Sequence, residues 1–197
     1  NILFFSLEQS KRAVQNRLLS QISRVPLKVF NEDGTENEDE LELIEEAIET
    51  LKSSKLYIND NSLTIDQIVS SATRSKNTHK IDVIYIDYAQ IIGLDSHYRL
   101  NNRNEEMTLI SRKVKALAKD LNIPVILGSQ LNRAIEKRAI KRPKLSDLRD
   151  SGSLEQDIDV GIFLNNEVLY KKDDEGFDTE AIEMEKNKEI GVASPKM

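Results

Sequence analysis

The chain has 197 residues, of which 39% are hydrophobic and 31% charged, and its net charge is −6. That length suffices for one sizeable α/β domain with a buried core. The absence of cysteine excludes disulfides and thiolate metal sites, and two isolated histidines are too few for a zinc centre. No run approaches the roughly 20 apolar residues of a membrane helix, and no signal peptide is visible. We therefore expect a cytoplasmic protein with no membrane partner.

The charge is unevenly distributed along the sequence. Nine carboxylates and no basic residue lie between Glu32 and Glu46, whereas seven basic residues face three acidic ones between Arg133 and Asp150. Net negative charge argues against a surface that binds polyanions everywhere. A local basic stretch can nevertheless bind a nucleic-acid strand where it is presented at one place, although a solvated loop would also explain it.

Strand-like and helical runs alternate along the chain. In order, the sequence predicts a strand at 2–7, a helix at 13–22, a loop at 31–37, an amphipathic helix from near Glu38 to Leu51 and a strand at 56–58. A capping box formed by Thr64 and Gln67 predicts a helix from Ile65 into the 70s. A strand at 83–87, a loop at 93–104, a helix at 107–121 and strands at 124–127, 160–164 and 180–184 follow. This order indicates an α/β fold with a mainly parallel sheet flanked by helices.

Three of the predicted strands end in polar side chains, namely Glu8, Asp87 and Gln130. Ligands of open α/β sheets bind beyond the carboxyl ends of the strands, so neighbouring strands would bring these side chains to one edge. One acid can hold Mg²⁺, a second can deprotonate water, and an amide can contact a terminal phosphate. Each residue also has a purely structural explanation, as a first-turn helix acid, a turn residue or a solvated loop amide.

A phosphate-binding loop of the form GxxxxGK followed by Ser or Thr is absent from these residues. None of the seven glycines is followed by lysine. The chain as it stands therefore cannot cradle a triphosphate in that way.

The chain resembles the DnaB-type hexameric replicative helicases in their C-terminal RecA-like ATPase domain. The segments that carry the resemblance are Phe4–Glu8, Val83–Gln90, Ser111–Lys119, Ser129–Arg133 and Lys141–Asp157. The last is the most specific, because it is long and unusual in composition. The resemblance extends from Ile2 to about Lys188, and it implies a RecA-like P-loop NTPase fold over residues 1–197 as a single, partial motor domain. It also implies that the P-loop strand and any N-terminal domain lie upstream.

The resemblance implies ATP hydrolysis with Mg²⁺, coupled to translocation on single-stranded DNA and duplex unwinding. Glu8 matches the glutamate that activates the attacking water, and Asp87 matches the Walker B acid that supports the metal ion. Gln130 matches the sensor that couples hydrolysis to the DNA loops. Without the P-loop, these residues alone would be inactive.

The resemblance also implies DNA-binding residues and a residue that acts across a subunit boundary. Arg149, Asp150 and Gly152 match the loop that grips DNA phosphates, and Arg133 lies in the neighbouring basic stretch. The family usually has glutamate where this chain has Asp150, a mild difference. Near the end, Lys186 and Lys188 align with the family's Lys-x-Arg, whose arginine reaches a neighbouring subunit's γ-phosphate. Lysine keeps the charge but lacks the planar fork of arginine, which weakens that assignment.

Expected partners are single-stranded DNA, five further copies in a homo-hexamer, a primase and a helicase loader. Two alternatives remain open at this level. One is a different RecA-type ATPase, such as a recombinase, which would not be expected to carry the segment Lys141–Asp157. The other is a non-catalytic relative that binds DNA or assembles rings without a P-loop.

Overall fold

The structure is a computed structural model that describes residues 1–31, 34–132, 134–135, 138, 142–148, 152–165 and 189–193. Its helices are α1 (Lys11–Ser23), α2 (Leu27–Asn31), α3 (Glu38–Ser53), α4 (Ile65–His79), α5 (Arg103–Leu121) and α6 (Gly152–Asp157). Its strands are β1 (Ile2–Ser6), β2 (Leu56–Asn59), β3 (Val83–Asp87), β4 (Val125–Leu127), β5 (Gly161–Asn165) and β6 (Glu189–Ala193). Short 3₁₀ turns lie at Ala89–Ile91 and Leu145–Asp147.

The chain divides into two compact units. The first comprises Asn1–Arg99 and Lys113–Gly128, and the second comprises Leu100–Arg112 and Ser129–Met197. The first contains a four-stranded sheet of order β2-β1-β3-β4 in which all three neighbouring pairs are parallel. The second contains the antiparallel pair β5-β6. The prediction of an α/β fold with a mainly parallel, helix-flanked sheet is confirmed.

One face of the sheet is closely packed. Leu3 pairs with Ile84 and Phe5 pairs with Ile86, and all four side chains are buried. Because side chains alternate along a strand, these four lie on one face, and Phe4, Tyr85 and Ile126 lie on the other. Tyr85 is 37% exposed and Ile126 45% exposed. The core of this unit therefore lies mainly on the face that carries Phe5 and Ile86.

Local sequence signals explain the helix boundaries. Thr64 accepts a hydrogen bond from the Gln67 amide while the Gln67 side chain accepts one from the Thr64 amide, so α4 begins as predicted. Asn37 caps α3, and three acids in its first turn suit the positive end of the helix. The helix α2 was not predicted, because five residues are too few to show a period. It ends at Asn31, where a loop was expected to begin.

The later part of the chain matches the sequence prediction only partly. The strand predicted at 160–164 corresponds to β5. The strand predicted at 180–184 lies outside the described residues. The strand β6, which pairs with β5, was not predicted. Every helix among the described residues is too short or too polar to cross a bilayer.

Candidate nucleotide-binding edge and DNA-binding segment

The carboxyl ends of β1 and β3 are held together directly. Ser6, the last residue of β1, pairs with Asp87, the last residue of β3. One residue further, the amide of Leu7 donates a hydrogen bond of 3.1 Å to the carbonyl oxygen of Asp87. Glu8 follows immediately, so the structure brings Glu8 and Asp87 to the same edge of the sheet, as the sequence predicted.

The connections to neighbouring strands reverse direction at this same place. From β1 the chain crosses to β2 on one side, and from β3 it crosses to β4 on the other. Because parallel crossovers are right-handed in nearly all proteins, the two connections are expected to run on opposite faces of the sheet. A crevice opens between strands at such a switch point, and α/β proteins bind ligands there. The switch point between β1 and β3 is flanked by Glu8 and Asp87.

Both carboxylates are exposed to solvent. Within the described part of the chain, neither accepts a hydrogen bond from another side chain or from a backbone amide. Carboxylate oxygens are the ligands that Mg²⁺ prefers in proteins, often through water and alongside substrate phosphates. The described residues contain no cluster of three or more side chains that could hold a metal ion by themselves.

Two residues that support this edge were missed by the sequence analysis. Asp60, just beyond β2, accepts a hydrogen bond of 2.6 Å from the amide of Lys11, the first residue of α1. This contact fixes the chain that leaves Glu8. Gly128, just beyond β4, donates to the Ile86 carbonyl at 2.9 Å, and a Cβ at this position would lie 3.3 Å from Oδ1 of Asp87. Glycine therefore lets the end of β4 lie close against the Asp87 carboxylate.

Gln130 lies three residues beyond β4 along the chain, within the second unit, and its side chain is exposed. Its assignment as a sensor remains a prediction. The residue after it, Leu131, forms an antiparallel bridge with Leu148, and the amide of Asn132 donates to the Asp147 carbonyl at 2.8 Å. The segment after Gln130 is thereby joined to the segment before Arg149.

Of the predicted DNA-binding and trans-acting residues, the structure describes only Gly152. Gly152 is the first residue of α6. The others lie outside the described residues, namely Arg133, Arg149, Asp150, Lys186 and Lys188. Glu189, which directly follows Lys188, begins β6. The DNA-binding and trans-acting assignments therefore remain predictions.

A charged cluster of the first unit forms at the first turn of α4. Lys113 of α5 pairs with Oδ1 of Asp66, in the first turn of α4, and its Nζ lies 5.0 Å from the centre of the Tyr98 ring. The Lys113 hydrogen bond lowers the pKa of Asp66 and outweighs the effect of burial. Burial would lower the pKa of Lys113, but the bond to Asp66 raises it overall. This cluster attaches α4 to α5.

Comparisons with known proteins found matches over most of this chain. Residues 1–195 match the family described as DnaB-like helicase C terminal domain. A "Probable plasmid replicative DNA helicase" of Chlamydia muridarum is 42% identical over 163 residues, covering 82% of this chain and 35% of that protein. A "Replicative DNA helicase DnaB" of Leifsonia xyli is 40% identical over 172 residues, covering 87% of this chain and 37% of that protein. The chain thus spans about a third of the length of these relatives.

Two solved structures share the fold. "The Structure Of A DnaB-Like Replicative Helicase And Its Interactions With Primase" superposes with a TM-score of 0.79 at 27% identity, covering 98% of this chain and 47% of the other. A second solved structure, described as an ATPase domain, gives a TM-score of 0.78 at 29% identity, covering 98% and 69%. The match over almost the whole chain, with relatives at about 40% identity, shows that the chain belongs to the DnaB-like helicase C-terminal domain family.

Proposed function

We propose that this chain is the motor domain of a replicative DNA helicase that couples ATP hydrolysis to movement along single-stranded DNA. The observation that carries the proposal is the hydrogen bond from Leu7 to Asp87, which brings two carboxylates with different expected roles to one sheet edge. Family membership supplies the reaction class. Both compact units, residues 1–197 together, would act as one motor domain.

The proposed reaction is transfer of the γ-phosphoryl group of ATP to water. The water oxygen bonds to the γ-phosphorus, the bond to the bridging oxygen breaks, and ADP leaves. The Glu8 carboxylate accepts the proton of the attacking water, because an exposed, unpaired carboxylate is available as a base. Asp87 would support Mg²⁺, which supplies positive charge against the phosphate oxygens. Gln130 would sense the terminal phosphate from the end of β4.

The proposed nucleic-acid ligand is the sugar-phosphate backbone of single-stranded DNA. Arg149 and Arg133 supply positive charge, and Gly152 lets backbone amides come close to a phosphate. Asp150 belongs to the same segment. Contacts of this kind bind DNA without reading its sequence, as a helicase requires.

The proposed assembly is a homo-hexamer in the cytoplasm, with active sites between subunits. Lys186 and Lys188 are the candidates for a cation that reaches the nucleotide of a neighbouring subunit. One structural relative is a DnaB-like replicative helicase that is described together with its interactions with primase. We propose primase as a partner of the intact protein here too, together with a loader that places the ring on DNA.

The decisive experiment measures ATP hydrolysis by the intact protein with and without single-stranded DNA. We expect hydrolysis that requires Mg²⁺ and that single-stranded DNA accelerates, together with unwinding of a forked duplex. ATP hydrolysis without unwinding would favour a different RecA-type ATPase. DNA binding or ring formation without any hydrolysis would favour the non-catalytic relative and would refute the motor.

A further inference from the structure

Two segments of the second unit meet at Asp147. Leu131 bridges to Leu148, and the Asn132 amide donates to the Asp147 carbonyl at 2.8 Å. The first segment begins one residue after Gln130, and the second ends one residue before Arg149. The backbone therefore joins the candidate sensor to the candidate DNA-binding segment over a very short path.

The side chain of Asp147 reinforces this junction. Asp147 is only 8% exposed. Its Oδ1 forms an ion pair with Arg138, and its Oδ2 accepts a hydrogen bond of 2.8 Å from the Lys144 amide. Burial would raise the pKa of Asp147, but Arg138 and the Lys144 amide outweigh it and lower the pKa overall. The ion pair and the hydrogen bond thus stabilise the Asp147 carboxylate beside the backbone bond from Asn132.

The far side of the DNA-binding segment is anchored as well. Leu154 of α6 is 3% exposed, and Asp157 at the end of α6 accepts a hydrogen bond of 2.5 Å from the buried Ser111 hydroxyl. The described backbone is therefore held at Leu148, which directly precedes Arg149, and again from α6 onward.

We propose that Asp147 is a positioning residue at the junction of the Gln130 and Arg149 segments: its carbonyl accepts from the Asn132 amide, and its side chain holds that backbone in place through the Arg138 ion pair and the Lys144 amide. The inference deepens the proposed function and rests on it. Asp147 itself would touch neither nucleotide nor DNA. Its contribution is to keep two short segments moving as one, so that the state of the nucleotide reaches the DNA phosphates.

The test uses Asp147→Asn and Arg138→Gln in the intact protein. Asparagine keeps an acceptor for the Lys144 amide but removes the charge that pairs with Arg138. We expect basal ATP hydrolysis within about twofold of the wild type, with stimulation by single-stranded DNA reduced at least about tenfold. The double variant should be no worse than either single variant, because all three lose the same interaction. Asp120→Asn, an exposed acid at the end of α5, is the matched control and should retain full stimulation.

A second measurement tests the coupling without relying on activity. In Asp147→Asn, amide hydrogen exchange should accelerate together in peptides that contain Leu131 and Leu148, and should stay unchanged in peptides of α4. Unchanged exchange at Leu131, or equal losses of basal and DNA-stimulated hydrolysis, would overturn the coupling role. Absence of hydrolysis in the wild-type protein would instead refute the proposed function, while the exchange result would still decide whether Asp147 joins the two segments.

Discussion

The amide of Leu7 donates a hydrogen bond to the carbonyl oxygen of Asp87, and this bond holds together the two strand ends that form the proposed catalytic edge. It continues the pairing of β1 with β3 by one residue beyond Ser6. Because Glu8 is the next residue, its backbone position depends on the end of β3. The backbone positions of the proposed base, Glu8, and of the proposed metal-supporting acid, Asp87, therefore depend on one pair of strands. Substitutions at the two positions should separate their roles.

Glu8→Gln in the intact protein should abolish ATP hydrolysis while leaving nucleotide binding largely intact. The amide matches the shape of the carboxylate but cannot accept a proton, and loss of a general base costs about 100-fold or more in kcat. Steady-state hydrolysis and the affinity for a fluorescent ATP analogue measure the two effects. Glu45→Gln, on the exposed face of α3, is the control and should behave as the wild type. Normal turnover by Glu8→Gln would remove Glu8 from the mechanism.

Asp87→Asn should raise the Mg²⁺ concentration needed for half-maximal hydrolysis by about tenfold or more. An amide oxygen carries no charge, so it supports a divalent cation less well than a carboxylate. Titration of hydrolysis with Mg²⁺ at saturating ATP gives the midpoint, and Asp120→Asn serves as the control. A loss of kcat with an unchanged Mg²⁺ midpoint would assign Asp87 a role other than metal support.

Much of the sheet edge could be predicted because the signals are local. The polar residue at the end of each apolar run identified Glu8 and Asp87, and the Thr64–Gln67 capping box located the first turn of α4. Parallel order follows from alternation of strands and helices. What the sequence could not show was which strands are neighbours, since pairing joins residues about 80 positions apart, as with Ser6 and Asp87.

The supporting contacts escaped prediction for the same physical reason. Asp60 binds the Lys11 amide across 49 residues, and nothing near Asp60 in sequence indicates that partner. Gly128 is required by a close approach to Asp87, which exists only once β3 and β4 are paired. Asp147 stood within a recognised segment, but its burial and its pairing with Arg138 depend on how the chain between them folds. Contacts between residues that are distant in sequence are therefore the part of the site that only the structure reveals.

Arg149→Ala should weaken binding of single-stranded DNA and reduce its dependence on salt. Each phosphate contact releases condensed counterions, so log K falls as log salt concentration rises. The loss of one contact makes this negative slope less steep by about 0.7. Binding is measured by fluorescence anisotropy across a salt series with a labelled oligonucleotide of mixed sequence. Arg17→Ala, on an exposed position of α1, is the control and should leave the slope unchanged. An unaltered slope for Arg149→Ala would argue against a phosphate contact there.

Lys113→Met should lower the free energy of unfolding by about 1 to 2 kcal/mol, because it leaves Asp66 without its charged partner in a site where both side chains are less than a third exposed. Lys119→Met, on an exposed position of the same helix, should change stability by less than about 0.5 kcal/mol. Urea unfolding followed by circular dichroism measures both. Equal effects of the two substitutions would show that the pair contributes nothing specific.

The pH dependence of the same pair has a defined sign. The pKa of Asp66 is depressed below its ordinary value of 3.8, so its contribution is present above that value and disappears as pH falls through the lower folded pKa. The pKa of Lys113 is raised above 10.5, so its contribution is present below that value and disappears as pH rises through the higher folded pKa. The stability difference between the wild type and Lys113→Met should therefore be constant from about pH 5 to pH 9 and shrink outside that range. A difference that varies within the neutral range would assign the effect to another titrating group.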